Sequence, residues 1–192
     1  MTTEIAIATT HRRLVTTVLF VTWVGPMIFA LYLMWREPNT ALMLVCVSLM
    51  VALAALAATL SDVWFRPRRW ELRGAVYEKL GVRWFKQFMI GGDHMNRRIR
   101  QLLPGHRTYA TDMTLRQLSA ETRAAEKGHA LWGFIALPAI AFAAFTGWQL
   151  FAAAFTLINL GANVYPILLQ RDTRARITRI VGRRRRSAGP MT

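Results

Sequence analysis

One cysteine, Cys46, occurs in 192 residues, which excludes a disulfide framework and any thiolate metal centre. It lies in an apolar run and reads as a small buried hydrophobe. Acids are also scarce: 10 Asp and Glu stand against 25 Lys and Arg, for a net charge of +15. In a soluble chain that excess points to nucleic acid. Here 54% of the residues are hydrophobic, and membrane proteins collect Lys and Arg on their cytoplasmic side, so nucleic acid is not the expected partner. The histidines at 11, 94, 106 and 129 form no cluster. The pair Glu126-x-x-His129 has no second copy of the kind a di-iron bundle needs, so no bound metal is expected. There is no P-loop, no Gly-x-Ser-x-Gly elbow and no His-x4-Asp. A secondary transporter would show an internal repeat, and none is visible.

The most telling absence lies in residues 128–170, which contain no Asp, Glu, Lys or Arg. That run is about twice the ~20 residues a helix needs to cross a bilayer. Thr146-Gly147-Trp148-Gln149 supplies a turn near its middle, so it predicts two spans, about 129–146 and 149–170. Upstream, Arg12-Arg13 precede a first uncharged run, about 14–35, with Gly25-Pro26 tolerable as a mid-span kink. This run is too long for a signal-peptide core and is read as an anchor. Arg36-Glu37-Pro38-Asn39 is a neutral turn. The second span, about 39–61, carries Ala54, Ala55, Ala57 and Ala58, which permit close helix packing. The fold class is therefore an all-α integral membrane protein. It has four transmembrane helices and short amphipathic interfacial helices in a cytoplasmic loop, in one membrane domain spanning residues 1–192.

The loop, residues 62–127, and the basic tail, residues 171–192, each carry a surplus of arginine and lysine, while the two short turns are neutral. The positive-inside bias then puts both termini and the loop in the cytoplasm, on the inner membrane. Within the loop, Pro67 is placed in the first turn of a helix ending at Gly81. Val82 begins a second helix with apolar residues at helical spacing. Asp93, after Gly91-Gly92, caps a third that ends before Pro104-Gly105. Such helices suit the interface. Thr114-Leu115-Arg116-Gln117 matches a capping box, from which one helix runs into the third span with a bend near Pro138. The four arginines at 183–186 suit anionic headgroups, in a solvated tail.

Polar side chains at membrane depth are costly and usually face a bundle interior or wet cavity. Glu126 and His129 share a helix face, the arrangement by which a carboxylate orients a general base. Asn159, Asn163, Pro166 and Gln170 share a face of the fourth span. A hairpin folded at Gly147 returns the chain so that His129 and Gln170 lie at similar depth, with Asn163 roughly 10 Å deeper. The amides of Gly91-Gly92, followed by Asp93, can meet a phosphate or an oxyanion. The competing reading is a scaffold or lipid-binding accessory protein, in which Asn and Gln glue helices together.

Four stretches taken in order resemble the glycosyl-4,4'-diaponeurosporenoate acyltransferase family, small membrane enzymes of carotenoid synthesis. They are Tyr77-Glu78-Lys79-Leu80-Gly81-Val82, Gly91-Gly92-Asp93, Glu121-Thr122 through Glu126 and His129, and Asn163-Val164-Tyr165-Pro166 through Gln170-Arg171. The chain departs from the family pattern at Met89-Ile90, at Ala124 and at Asp172-Thr173. The resemblance implies transfer of a fatty acyl group from a thioester, acyl-CoA or acyl carrier protein, to a hydroxyl of a membrane-bound, lipid-linked sugar. No bound cofactor is implied. The matching positions are Tyr77, Glu78, Gly91, Gly92, Asp93, Glu121, Glu126, His129, Asn163, Pro166, Gln170 and Arg171, and all of them but Pro166 make up the expected site. In it His129 is the base, Glu126 orients it, and Asn163, Gln170 or the glycine amides hold the oxyanion. Arg171 meets phosphates or carboxylates of donor or lipid.

The charge bias makes a topological prediction. A reporter fused after residue 187 is expected on the cytoplasmic side, and one inserted at residues 146–148 on the opposite side. Paired phosphatase and fluorescent-protein fusions check this, and activity on the same side for both would refute the hairpin.

Overall fold

The computed structural model describes residues 10, 13–14, 17–18, 20–73, 75–88, 93–102 and 114–187. Among them every regular element is helical. Helix α1 is Phe20–Arg36, built from a π turn (Phe20–Val24) and an α segment (Gly25–Arg36); α2 is Thr40–Thr59. A 3-10 turn, Glu71–Arg73, precedes the short helices α3 (Ala75–Lys79), α4 (Val82–Phe88) and α5 (Asp93–Leu102). Helix α6 is Leu115–Phe145 and α7 is Gln149–Asn159. A second π turn, Leu160–Val164, then leads into α8, Tyr165–Ser187. Three helical stretches, Thr40–Thr59, Leu115–Phe145 and Gln149–Arg183, are long and apolar enough to cross a membrane, and Phe20–Arg36 is a shorter apolar helix.

The turns form where local chemistry calls for them. Asn39 Oδ1 accepts from the Leu42 amide at 3.1 Å, capping α2. Gly147 has φ +88°, open to glycine without the Cβ penalty, and it lets the Trp148 amide reach the Ala143 carbonyl at 2.8 Å. Gly81, at φ +68°, ends α3 in the same way. At the start of α6 the Thr114 amide donates to Gln117 Oε1 at 2.7 Å. The Gln117 amide returns to Thr114 Oγ1 at 3.2 Å, completing the capping box. Helix α6 continues through Pro138.

The chain forms two compact units. The first comprises Met1–Thr59 and His129–Val164. Its core joins Ala30, Leu33 and Met34 of α1, Cys46 of α2, Ala136, Ala139 and Phe142 of α6, and Phe155 of α7. Small residues on α6 let backbones approach closely. Phe29 fills the remaining edge, with ring centroids 4.9 Å from Phe151 and 6.1 Å from Trp148. Large apolar side chains also point outward: Leu150 and Phe145 are 86% and 85% exposed. An apolar surface of this extent fits lipid rather than water.

The second unit comprises Leu60–Gly128 and Tyr165–Thr192. Phe65, Tyr77, Val82, Ala175 and Ile177 are buried there, and Phe85 stacks on Tyr165 with centroids 4.5 Å apart. Asp62 holds Arg123 at 2.8 Å and Lys127 at 3.2 Å, while Lys127 lies over the Phe65 ring.

Two expectations change. Residues 61–70 are turns rather than the start of a helix at Pro67, because the Arg68 amide donates to the Glu71 carboxylate instead of to a helical carbonyl. The segment after Gln170 is not a free tail: α8 continues to Ser187 and buries Asp172, Arg174, Ala175 and Ile177. Charge alone suggested solvent; pairing of those charges inside the unit overrides it. Gly91-Gly92 lie outside the described residues, and Asp93 is the first residue of α5.

Gly133 marks a close helix approach, since a Cβ there would stand 3.3 Å from Asn163 Cβ, whereas at Gly128 it would meet nothing within 4 Å. Gly133→Val is expected to destabilise by about 1–3 kcal/mol through overpacking. Gly128→Ala is expected to be neutral or to stabilise by roughly 0.5–1 kcal/mol. Thermal unfolding in detergent reads both, and equal effects would contradict the packing.

Candidate functional site

In the second unit a buried charge network surrounds Arg171. Its Nε donates to Glu71 Oε1 at 2.6 Å and one terminal nitrogen to Glu71 Oε2 at 3.2 Å, a bidentate clamp. The other terminal nitrogen donates to Glu126 Oε1 at 2.9 Å and approaches the Trp64 carbonyl at 3.5 Å. Glu126 Oε2 forms an ion pair with Arg174. Tyr77 completes the set, its hydroxyl donating to Glu71 Oε1 at 2.6 Å. The carboxylates are almost wholly withdrawn from water, with Glu71 0% and Glu126 1% exposed. Two carboxylates and two guanidiniums balance, which is what allows them to be buried.

The titration of Glu71 follows from these contacts. Burial by itself would push its carboxyl up, but hydrogen bonds from Arg171, the Arg68 amide and Tyr77 outweigh it and hold the group below its ordinary value. Burial and the adjacent Glu71 carboxylate both push the Tyr77 hydroxyl up, so it stays a donor.

In the first unit His129 is half-buried and within hydrogen-bonding reach of the Asn163 side chain and the Ala162 carbonyl. That carbonyl is available for a local reason. Pro166 has no N–H to return to residue 162, four positions back, and the π turn Leu160–Val164 absorbs the defect. Asn163 Nδ2 donates to Asn159 Oδ1 at 2.6 Å, and Asn159 Nδ2 reaches the Gly133 carbonyl at 3.4 Å. Both asparagines, with Thr22, Met27, Trp132, Ala136, Phe155 and Ile158, line a small pocket of ≈ 10 Å³.

The expected site residues thus fall into separate settings. His129 and Asn163 come together; Tyr77, Glu126 and Arg171 come together in the charge network. Asn163 is the side chain that lies beside His129, near the freed Ala162 carbonyl. The assignment of Glu126 as the group that orients His129 is corrected as well. Its oxygens are engaged by Arg171 and Arg174, and two guanidiniums hold a buried carboxylate more strongly than a neutral imidazole can. Glu78 is exposed and paired with Arg83 at 2.7 Å. Glu121 is exposed and Gln170 half-buried on α8. Arg171 meets carboxylates of the protein itself, where a ligand carboxylate or phosphate was expected. Glu71 and Arg174 are the members that sequence reasoning missed. The signal for Arg174 is its i, i+3 spacing from Arg171 on one helix face; Glu71, in an irregular segment, offers none. Among the described residues no group of acids, histidines and cysteines is arranged to hold a metal ion.

A chain whose described residues form only helices, three of them able to cross a membrane, with an outward apolar surface and paired charges in its other unit, is a membrane protein. Residues 61–183 match the family model described as glycosyl-4,4'-diaponeurosporenoate acyltransferase, and the chain belongs to that family. The match includes every residue of the charge network together with His129, Asn159 and Asn163. No curated protein and no solved structure matches the chain.

Removing one partner from a buried ion-pair network leaves an uncompensated charge. Arg171→Met is therefore expected to cost about 3–5 kcal/mol. Because the folded Glu71 carboxyl titrates below its unfolded value, its stabilising contribution is full above the unfolded value, ~4.3. It is lost as pH falls through the folded value. Unfolding midpoints of the wild type and of Glu71→Gln, followed from pH 7 down to pH 3, should converge at the acid end. Parallel curves would show that Glu71 contributes nothing ionic.

Proposed function

We propose that the protein is a membrane O-acyltransferase that moves a fatty acyl group from a thioester, acyl-CoA or acyl carrier protein, to a hydroxyl of a membrane glycolipid resembling a glycosylated carotenoid. Membership of the acyltransferase family supports the reaction class. The single observation that carries the residue assignment is the position of His129, half-buried beside Asn163 and the Ala162 carbonyl within an apolar helical unit. A neutral imidazole with its N–H committed to a carbonyl keeps a lone pair on the other nitrogen, as a general base requires. In the proposed step His129 accepts the acceptor hydroxyl proton as that oxygen attacks the thioester carbonyl. The tetrahedral intermediate then collapses, the C–S bond breaks, and the thiolate leaves with the proton returned by the imidazolium. Ester and thiol are the products. Asn163 is the candidate donor to the oxyanion, a role typically worth about 3 kcal/mol.

A four-span topology with both termini cytoplasmic belongs to this reading, with Phe20–Arg36 and its upstream apolar residues as the first span. The apolar acceptor would enter laterally from lipid, and the basic loop and the end of α8 would rest on anionic headgroups.

One observation favours a second reading. The Gly133–Asn159–Asn163 hydrogen bonds are the kind by which amides join helices in bilayers, which suits a non-catalytic scaffold or lipid-binding accessory subunit. Lipid profiling of cells with and without the chain separates the two, since an enzyme predicts loss of an acylated glycolipid and accumulation of its hydroxyl precursor. His129→Ala should reproduce that loss, with turnover down roughly 10²–10⁴-fold and membrane insertion intact. Near-wild-type turnover in this variant would remove His129 from the mechanism.

A further inference from the structure

A cleft of ≈ 130 Å³ opens in the second unit, lined by Arg73, Tyr77, Glu78, Arg83, Asp172, Arg176 and Arg179, with Ala75 at its edge. Two of its four arginines have acids beside them. Arg83 pairs with Glu78 at 2.7 Å, both well exposed, and Arg176 pairs with the buried Asp172 at 2.6 Å. Among the described residues no acid pairs with Arg73 or Arg179. The lining therefore carries two guanidiniums beyond what its carboxylates neutralise.

Asp172, Arg176 and Arg179 recur at i, i+4 and i+7 along one face of α8, and Arg73 enters from the 3-10 turn Glu71–Arg73. Tyr77 forms the wall, fixed by its hydroxyl bond to Glu71, which Arg171 clamps in turn. The arginines of the cleft thus border a wall tied into the buried network. The volume suits several waters, or one phosphate group in their place. Guanidiniums bind phosphate oxygens through paired N–H donors, and Arg is the usual choice where such geometry matters.

We propose that this cleft is a phosphate-ester site, in which Arg73 and Arg179 hold the phosphate oxygens while Arg83 and Arg176 flank them. The site goes beyond the acyl-transfer step and rests on that reading only for the choice of coenzyme A as the first probe. A phosphate ester can reach the cleft from a nucleotide-bearing thioester donor or from an anionic lipid headgroup, and both present the same chemistry.

The test is equilibrium titration of coenzyme A into the full-length protein held in phosphatidylcholine nanodiscs, with inorganic phosphate as competitor. The wild type is expected to bind, phosphate to compete, and Arg73→Gln/Arg179→Gln to weaken binding roughly tenfold per guanidinium removed. Among the described residues neither arginine pairs with an acid, so the unfolding midpoint should hold; Arg73→Gln alone serves as the milder variant. Discs containing phosphatidylglycerol form the second arm. If that lipid blocks coenzyme A in the wild type, and headgroup binding is lost in the double variant, the site stands with the headgroup as occupant. Unchanged affinity of the double variant for coenzyme A, phosphate and phosphatidylglycerol would overturn the site. Arginine-dependent binding without acyl transfer would count against the enzymatic reading alone.

Discussion

Arg171 lies between two carboxylates that water does not reach, and much of the second unit follows from that fact. A buried carboxylate without a partner costs several kcal/mol, and a buried guanidinium costs a comparable amount. Glu71, Glu126, Arg171 and Arg174 escape this cost only together, because each supplies the charge or the donors another lacks. The set draws on a 3-10 turn, on α6 and on α8, with Tyr77 of α3 closing it. Segments with little apolar surface of their own are thereby held in one arrangement. The irregular chain before Glu71 is a case in point: its Arg68 amide is satisfied by the Glu71 carboxylate rather than by a helix. Networks of this kind contribute specificity at least as much as net stability, since an alternative packing would strand a charge.

The first unit is organised by a different constraint. In an apolar surrounding every backbone group must find a partner, and proline removes a donor. Pro26 and Pro166 each follow a π turn, at Phe20–Val24 and Leu160–Val164. In the second case His129 lies beside the carbonyl so released and beside Asn163. A break in helical bonding thus becomes a fixed position for an imidazole. Functional groups in membrane helices commonly occur where backbone regularity lapses, because that is where polar chemistry can be satisfied without water. Gly133 permits the close approach on which the asparagine contacts depend.

Under the proposed function, the two settings would divide the chemistry that the family name implies. In that reading one holds His129, the candidate base, among apolar side chains, where a hydroxyl carried by a lipid would reach it. The other is rich in arginine and bordered by a cleft with surplus positive charge, suited to an anionic, water-soluble group. An enzyme joining a thioester donor to a lipid acceptor needs both kinds of environment, since the two substrates differ in solvent preference.

Much of this was legible before any coordinates. The charge-free run of residues 128–170, the turn at Gly147, the capping box at Thr114 and the choice of His129, Asn163, Tyr77, Glu126 and Arg171 as candidates all depend on local composition and short spacings, which a helix converts directly into neighbours. Which of these residues meet was another matter. Glu126 and His129, three apart, suggested a couple, yet the carboxylate is taken by arginines forty-five and more positions away in the chain. Glu71 joins them across a hundred residues, and Arg174, in what read as a solvated tail, is buried. Local pattern determined the helices and the candidate chemistry. Partner choice was left to the tertiary structure, because a buried charge selects the strongest opposite charge that folding brings within reach, whatever its distance along the sequence.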